Sequence, residues 1–221
     1  MTFTDRLKIA SFATCVFATT TVGAHGSNPN HLESWINNPF DSQGRITQTA
    51  PGHWVVYKGD VSTDIAYPKP GEVAGKKVYF KGEARNSKNS FRGKIVEGGL
   101  DGLLSACKSG DVAEGGYRVK VQIEVRGKRD TNWTNVGWAY YSHVEKPTWY
   151  NGTYINAGEK VSSVWSGKVK NIKCWDAPHL HLEVYEKAHD AGYVSRSKGS
   201  AVDTNGHLFC VGGTRSGIKT C

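Results

Sequence analysis

The length, composition and charge of the chain exclude several classes of protein. Its 221 residues include 38% hydrophobic and 11% aromatic residues with 26 glycines, a composition typical of a turn-rich globular chain of about one domain and not of a disordered protein. The net charge of +8 suits a polyanionic partner such as an anionic cell wall. No Lys/Arg run with interleaved aromatic residues forms a recognisable nucleic-acid module, so we expect no nucleic-acid partner.

The N-terminus has the features of a secretory signal peptide. Arg6 and Lys8 precede the apolar stretch IASFATCVFATTTV, which is too short to span a membrane. Small residues for cleavage follow, ending at Ala24. We therefore predict a signal peptide over residues 1–24. The mature protein is expected to be secreted, extracellular or periplasmic, with no membrane association once the signal is removed.

The mature chain shows alternation of apolar and polar residues but no convincing helical periodicity. Strands are predicted at KKVYFKGEA (76–84), YRVKVQIEV (117–125), VGWAYYSHV (136–144), EKVSSVWSGKV (159–169) and HLHLEVY (179–185). Turn-forming Gly, Pro and Asn residues lie between them. We expect an all-β fold, a single antiparallel β-sheet domain over residues 51–190. Residues 25–50 and 191–221 are expected to be irregular N- and C-terminal extensions.

Four cysteines remain after removal of the signal peptide, namely Cys107, Cys174, Cys210 and Cys221. In an exported chain they indicate two disulfides, for which three connectivities exist. No CxxC pair is present, so a zinc ribbon is disfavoured. The last two cysteines close a short loop, so we favour Cys210–Cys221 together with Cys107–Cys174.

The segment APHLHLEVY (177–185) places two histidines two residues apart. Successive side chains of a strand point to opposite faces, so His179, His181 and Glu183 should share one face while the leucines and the valine fill the core. Isolated alternating histidines are usually surface or cross-strand residues. Neutral imidazoles also suit zinc, however, and a pair of them can form half of a metal site.

Further donors lie upstream of this pair. The same alternation predicts that Tyr141 and His143 share a face of their strand. Asp60 and Asp64 are the first oxygen donors in the core of the domain. These residues are therefore the candidates for completing a site around the two histidines.

Together the motifs resemble those of the lysostaphin/LytM-like zinc metallopeptidases. APHLHLEVY is similar to the family signature GPHLHFEV. The segments TDIAYPKPGEVAGKKVYF (63–80), Tyr141-Ser-His143 and YINAGEKVSSVWSG (154–167) follow the family's order of an Asp-Ile/Leu pair, a Y-x-H strand and a V-x-x-G-x-x-V element. The resemblance covers roughly residues 52–190 and implies a small antiparallel β-domain that cuts peptides of bacterial peptidoglycan.

The resemblance also implies roles for individual residues. His181 and Asp64 match zinc ligands of the family. His179 and His143 match the two histidines beside the attacking water, which would deprotonate it and stabilise the oxyanion. The family's remaining ligand is a histidine four residues before Asp64, where this chain has Asp60. Zinc accepts carboxylate oxygen at a similar bond length, so an Asp/Asp/His site is chemically sound.

Two alternatives to Asp60 as a zinc ligand stay open. His53 could serve as the missing ligand, or metal binding has been lost and Asp60 is an ordinary turn residue. The expected function is a secreted zinc metalloendopeptidase, a monomer, acting on peptidoglycan or another peptide substrate. The alternative function is that of an inactive member of the fold that binds the cell wall or a partner protein. A carbohydrate-binding β-sandwich would account for the aromatic residues but not for the histidines.

Overall fold

The computed structural model describes residues 32–40, 45–48, 63–67, 69, 71–168, 174, 177–186 and 207–211. Within these ranges the chain is almost entirely β-structure, with no α-helix and a short 3-10 helix at Val112–Glu114. All strand pairs are antiparallel. The predicted all-β class is confirmed.

Thirteen strands form three sheets in this part of the chain. They are β1 (Ser34–Asn37), β2 (Arg45–Gln48), β3 (Thr63–Ala66), β4 (Lys77–Tyr79), β5 (Gly82–Ala84), β6 (Ser90–Glu97), β7 (Leu104–Ser105), β8 (Tyr117–Arg126), β9 (Thr134–Val144), β10 (Tyr154–Asn156), β11 (Lys160–Ser163), β12 (Leu180–Glu186) and β13 (His207–Val211). The main sheet has the order β10-β6-β8-β9-β12-β3-β2, with β7 added beside β8. Two small sheets, β13-β1-β5 and β11-β4, accompany it.

The core lies against one face of the main sheet and follows the predicted alternation. In β8 the inward side chains are at most 1% exposed, namely Val119, Val121, Ile123 and Val125. In β12 the inward side chains are fully buried, namely Leu180, Leu182 and Val184. The strongest strand signals of the sequence therefore become the central strands of the sheet.

The structure corrects the strand prediction at three places. Of the segment predicted at 159–169, only Lys160–Ser163 forms a strand among the described residues. The segment 76–84 is not one strand, because the chain changes sheet within it: β4 pairs with β11 and β5 pairs with β1. The strand β6 is missing from the predicted strands, because its core-facing position Gly93 carries no side chain and hides the alternation. A Cβ at Gly93 would lie 2.6 Å from Val121 Cγ1, so neighbouring side chains fill that space instead.

The two predicted extensions are not irregular throughout. Residues 25–50 contain β1 and β2, and residues 191–221 contain β13. These strands are four or five residues long, and β1 pairs with β13 and β5, which are distant in sequence. Local alternation cannot reveal such short strands, because pairing with remote segments stabilises them.

The disulfide prediction is confirmed for one pair. Cys107 and Cys174 are bonded, with their Cα atoms 5.8 Å apart. Cys221 and the predicted signal peptide lie outside the described residues, so the Cys210–Cys221 bond and the signal peptide stay predictions. Among the residues that are described, no helix is long and apolar enough to cross a membrane.

Tyr141 is the largest fully buried side chain of the core. Its ring packs in the hydrophobic core, and its hydroxyl is buried without a hydrogen-bond partner among the described residues. Burial raises the pKa of Tyr141 well above its usual value. A buried hydroxyl without a partner loses its hydration and gains nothing in return.

We therefore expect Tyr141→Phe to raise the free energy of unfolding by about 1 kcal/mol, measured by urea denaturation. Tyr185→Phe is the size-matched control, because the Tyr185 hydroxyl donates to Glu183 Oε2 at 2.5 Å. The control should instead lose stability. Destabilisation by Tyr141→Phe would mean that the hydroxyl has a partner in solution.

Candidate active site

The site is built on β12 and its two neighbours in the main sheet. His181 of β12 lies opposite Asp64 of β3 on one side and opposite Ser142 of β9 on the other. Directly opposite residues of antiparallel strands project to the same face. Leu180 and Leu182 point to the other face and are fully buried. The predicted division of this strand into a core face and a histidine face is confirmed.

One carboxylate lies between the two histidines of this segment. Asp64 Oδ1 is 3.1 Å from His181 Nδ1 and 3.6 Å from His179 Nε2. The three side chains are only 12–14% exposed. Neighbouring ligand atoms of a tetrahedral zinc ion are about 3.3 Å apart, given bonds of about 2.0–2.1 Å. The 3.1 Å between Asp64 Oδ1 and His181 Nδ1 therefore fits two ligands of one zinc ion.

The second ring nitrogen of His181 supports the same interpretation. Nε2 lies 3.3 Å from Glu183 Oε1, and Glu183 is held in turn by the Tyr185 hydroxyl. A carboxylate thus faces each nitrogen of the ring. If Nε2 carries the proton for Glu183, Nδ1 is unprotonated and its lone pair faces Asp64, and a cation between the two satisfies both. Such a carboxylate–histidine arrangement is the usual outer support of a zinc-binding imidazole.

His143 enters the site through a β-bulge at the end of β9. Arg118 pairs with Ser142 and Tyr117 pairs with Val144, so His143 is an extra residue that lies opposite no residue of β8. Its φ of 61° is left-handed, a conformation uncommon for a residue with a side chain. Bulges re-aim side chains in this way and are over-represented near active sites.

The bulge reverses the face that simple alternation assigns to His143. Its ring lies 4.8 Å from the ring of His179 and 5.8 Å from that of His181, centre to centre. Tyr141, two residues earlier, packs in the core. The prediction that Tyr141 and His143 share a face is therefore wrong, although the bulge brings His143 to the other histidines.

The hydrogen bonds of two imidazoles fix which nitrogen faces the site. His143 Nδ1 donates to the carbonyl of Gly115 at 2.8 Å, and His179 Nδ1 donates to the carbonyl of Ala177 at 2.8 Å. A carbonyl oxygen only accepts, so Nδ1 of each ring carries a proton, and in a neutral imidazole the other nitrogen, Nε2, is then unprotonated. Burial, with the nearby rings of His179 and His181, lowers the pKa of His143 to about 3. His143 is therefore neutral at physiological pH.

Gly115 supports His143 from behind, a role that no local sequence pattern indicates. A Cβ at Gly115 would lie 2.6 Å from Cys107 Sγ, 3.3 Å from Cys174 Sγ and 3.0 Å from His143 Nδ1. The disulfide and the histidine thus approach the same backbone position from two sides. Only a glycine fits between them. In the sequence Gly115 has the pattern of a turn residue, and its role depends on a disulfide partner 59 residues further along the chain (174 − 115).

The structure brings four of the predicted site residues together, namely Asp64, His143, His179 and His181. The donor atoms of the three histidines all lie within 4.8 Å of one another. The donor atoms of Asp64 and His181 are closer together than this, at 3.1 Å. Asp64 and His181 are therefore the better candidates for ligands of one metal ion. Asp60 and His53 lie outside the described residues, so their roles as ligands stay predictions.

Comparisons with known proteins give only distant similarities. No family model matches the chain, and no curated protein matches it. A zinc-containing peptidase from Vibrio cholerae is 20% identical with a TM-score of 0.39, over 69% of this chain and 37% of that one. Pseudoalterin, an M23 metalloprotease from the deep sea, is 14% identical with a TM-score of 0.36, over 79% of this chain and 90% of that one. The chain therefore spans about a third of the Vibrio cholerae structure, and TM-scores this low carry no argument about activity.

We expect Gly115→Ala to displace the His143 ring. The added methyl group would press on a disulfide and on Nδ1, neither of which can move freely. The loss should be about 1–3 kcal/mol of unfolding free energy, with a change in the ¹⁵N resonances of the His143 ring as its bond to Gly115 breaks. Gly102→Ala is the control, because its Cβ would meet only the end of the Asn151 side chain. Unaltered His143 resonances in Gly115→Ala would show that this carbonyl does not orient the ring.

Proposed function

We propose that the protein is a secreted zinc metalloendopeptidase that cleaves peptide bonds in bacterial cell-wall peptidoglycan. The observation that carries the proposal is the meeting of Asp64, His143, His179 and His181 on one face of the main sheet. One of these residues reaches that face only through a left-handed bulge. Strained backbone of this kind costs of order 1–3 kcal/mol and is concentrated at functional sites.

Asp64 and His181 are the residues proposed to hold zinc, with Glu183 supporting the His181 ring. Asp60 is proposed as a further ligand, because it occupies the position of a ligand in the family that the sequence resembles. Zinc at this position would lower the pKa of a water molecule and polarise the scissile carbonyl. The proton transfers would be carried out by the imidazoles of His143 and His179.

His179 and His143 are proposed to serve the proton transfers. Each presents Nε2 to the site because Nδ1 is committed to a backbone carbonyl. His143 is the more buried of the two and resists carrying a charge. We therefore assign uptake of the water proton to His179 Nε2. His143 Nε2 would hold the water in place, and the ring that becomes protonated can donate to the developing oxyanion.

The substrate class and the location are inferred from the whole chain. A net charge of +8 favours accumulation on an anionic wall. The N-terminal sequence supports export, and the Cys107–Cys174 disulfide suits an oxidising compartment. These features agree with a peptidase that acts outside the cytoplasm.

The purified mature protein should contain about one zinc ion per chain, measured by elemental analysis. His181→Ala and Asp64→Ala should lose it, because each removes a donor from the pair at 3.1 Å. Ser142→Ala is the control, since Ser142 lies opposite His181 in register but offers no strong zinc donor. Wild-type protein that stays metal-free after incubation with zinc would refute the metallopeptidase proposal and favour the binding protein.

The same assay decides the role of Asp60. If it is a ligand, Asp60→Ala should weaken zinc binding about as much as Asp64→Ala does, and Asp60→His should preserve or raise the affinity. An unchanged zinc affinity in Asp60→Ala would show that Asp60 is not a ligand. His53→Ala would then be the next variant to measure.

His179→Ala and His143→Ala should keep zinc and fold but lose turnover on purified peptidoglycan. General acid–base groups contribute about a hundred- to ten-thousand-fold, and the two losses need not add, because both rings act on one reaction. Released peptide ends measure the turnover. A His179→Ala enzyme that cleaves as fast as wild type would rule out this division of roles. Wild type that binds peptidoglycan without cleaving it would indicate a binding protein on a peptidase fold.

A further inference from the structure

A group of cations and aromatic rings continues the histidine face across β9 and β8. Arg118 of β8 lies opposite Ser142 of β9, which lies opposite His181 of β12. Adjacent strands are about 4.8 Å apart, so the backbones of Arg118 and His181 are about 10 Å apart on the same face. A substrate bound at the histidines would pass within reach of the Arg118 side chain.

Two cations flank a single aromatic ring at this place. Arg118 Cζ is 5.5 Å and Lys120 Nζ is 5.1 Å from the centre of the Tyr140 ring. Burial acts to lower the pKa of Lys120, but hydrogen bonds to Tyr140 and Glu97 outweigh it and raise the pKa. Lys120 is therefore charged at neutral pH. Two positive charges thus lie side by side next to the site.

The two cations differ in how they are paired. Lys120 Nζ is 2.9 Å from Glu97 Oε1, so part of its charge is already balanced. Arg118 forms no ion pair with any described residue, and its Nε is buried without a hydrogen-bond partner. Arg92, on the same face, has Glu124 at 2.8 Å. A guanidinium has five N–H donors in a fixed geometry, and the four on the two terminal nitrogens of Arg118 have no hydrogen-bond partner among the described residues.

The nearby carboxylates are already engaged. Glu97 pairs with Lys120, and Glu183 contacts His181 and Tyr185. Neither neutralises Arg118. An arginine fork matches the two oxygens of a carboxylate better than any neutral group, and such charge-assisted hydrogen bonds are about twice as strong as neutral ones.

We propose that Arg118, with Lys120 beside it, binds a carboxylate of the peptide substrate and so selects acidic peptides. The selectivity in turnover rests on the proposed peptidase function, whereas the carboxylate binding does not. Arg118 touches the substrate away from the bond that is cut. Its effect should therefore appear in KM, while kcat stays near the wild-type value.

The kinetic test compares two wall peptides that differ in one side chain, glutamate or its amide glutamine. Wild type should prefer the carboxylate peptide by about tenfold or more in kcat/KM, since a charge-assisted contact is gained. Arg118→Gln should lose this preference through KM. Arg118→Lys keeps the positive charge but not the planar guanidinium, and it should retain part of the preference for the carboxylate peptide. Arg126→Gln is the matched control, on the same strand and face about 26 Å away, and should behave as wild type.

The binding test separates this inference from the catalytic proposal. Full-length His181→Ala protein, which should not cleave, is titrated with the same two peptides and followed by tryptophan fluorescence. It should still prefer the carboxylate peptide, and the double variant with Arg118→Gln should not. Preference in this test without any cleavage by wild type would support the carboxylate site while refuting the peptidase.

Three results would overturn the inference. The first is equal affinity of the His181→Ala protein for the two peptides. The second is a preference that survives in Arg118→Gln. The third is tight binding of a neutral chitooligosaccharide that needs Trp138, whose ring centre lies 5.5 Å from Lys120 Nζ, and is indifferent to Arg118, which would make this face a sugar-binding platform.

Discussion

The hydrogen bond from His143 Nδ1 to the carbonyl of Gly115 holds together the part of the structure on which the site depends. It fixes an imidazole at a residue whose φ of 61° is unfavourable for any side chain. The backbone is held as well, because Trp165 donates its amide N–H to the carbonyl of His143 at 2.9 Å. Behind Gly115 lies the Cys107–Cys174 disulfide. These contacts offset the cost of the bulge and keep the ring in one orientation.

The bulge allows β9 to place side chains in the core and a histidine in the site at the same time. In a regular strand a one-residue shift moves every side chain to the opposite face. Here the shift is confined to one residue, so Tyr141 and Ala139 remain in the core while His143 joins His179 and His181. Without the extra residue, β9 could present either its core residues or its histidine correctly, but not both.

The bulge also separates the features that could be predicted from the sequence from those that could not. Strict alternation marks β8 and β12, because both faces of these strands carry side chains of the appropriate polarity, and it correctly separates His181 from the two leucines. Alternation fails at His143, because the bulge occurs at a histidine and not at the glycine that would have signalled it. It fails at β6, where Gly93 leaves a gap in the pattern, and at β1 and β13, which depend on each other across the length of the chain. The support from Gly115 requires knowledge of the disulfide.

The position of the bulge also determines what a bound substrate would meet. It lies between the pairs Tyr117–Val144 and Arg118–Ser142, so Arg118 is the first regular position of β8 next to the histidines. From β3 to β8 the face then presents a carboxylate at Asp64, the imidazoles and a cation at Arg118. Regular register keeps the backbones of Asp64, His181 and Arg118 at multiples of the strand spacing, about 4.8 Å, with His143 added by the bulge. A peptide lying across the strands would therefore meet the proposed metal donors, the proton-transfer groups and the carboxylate-binding cation in that order.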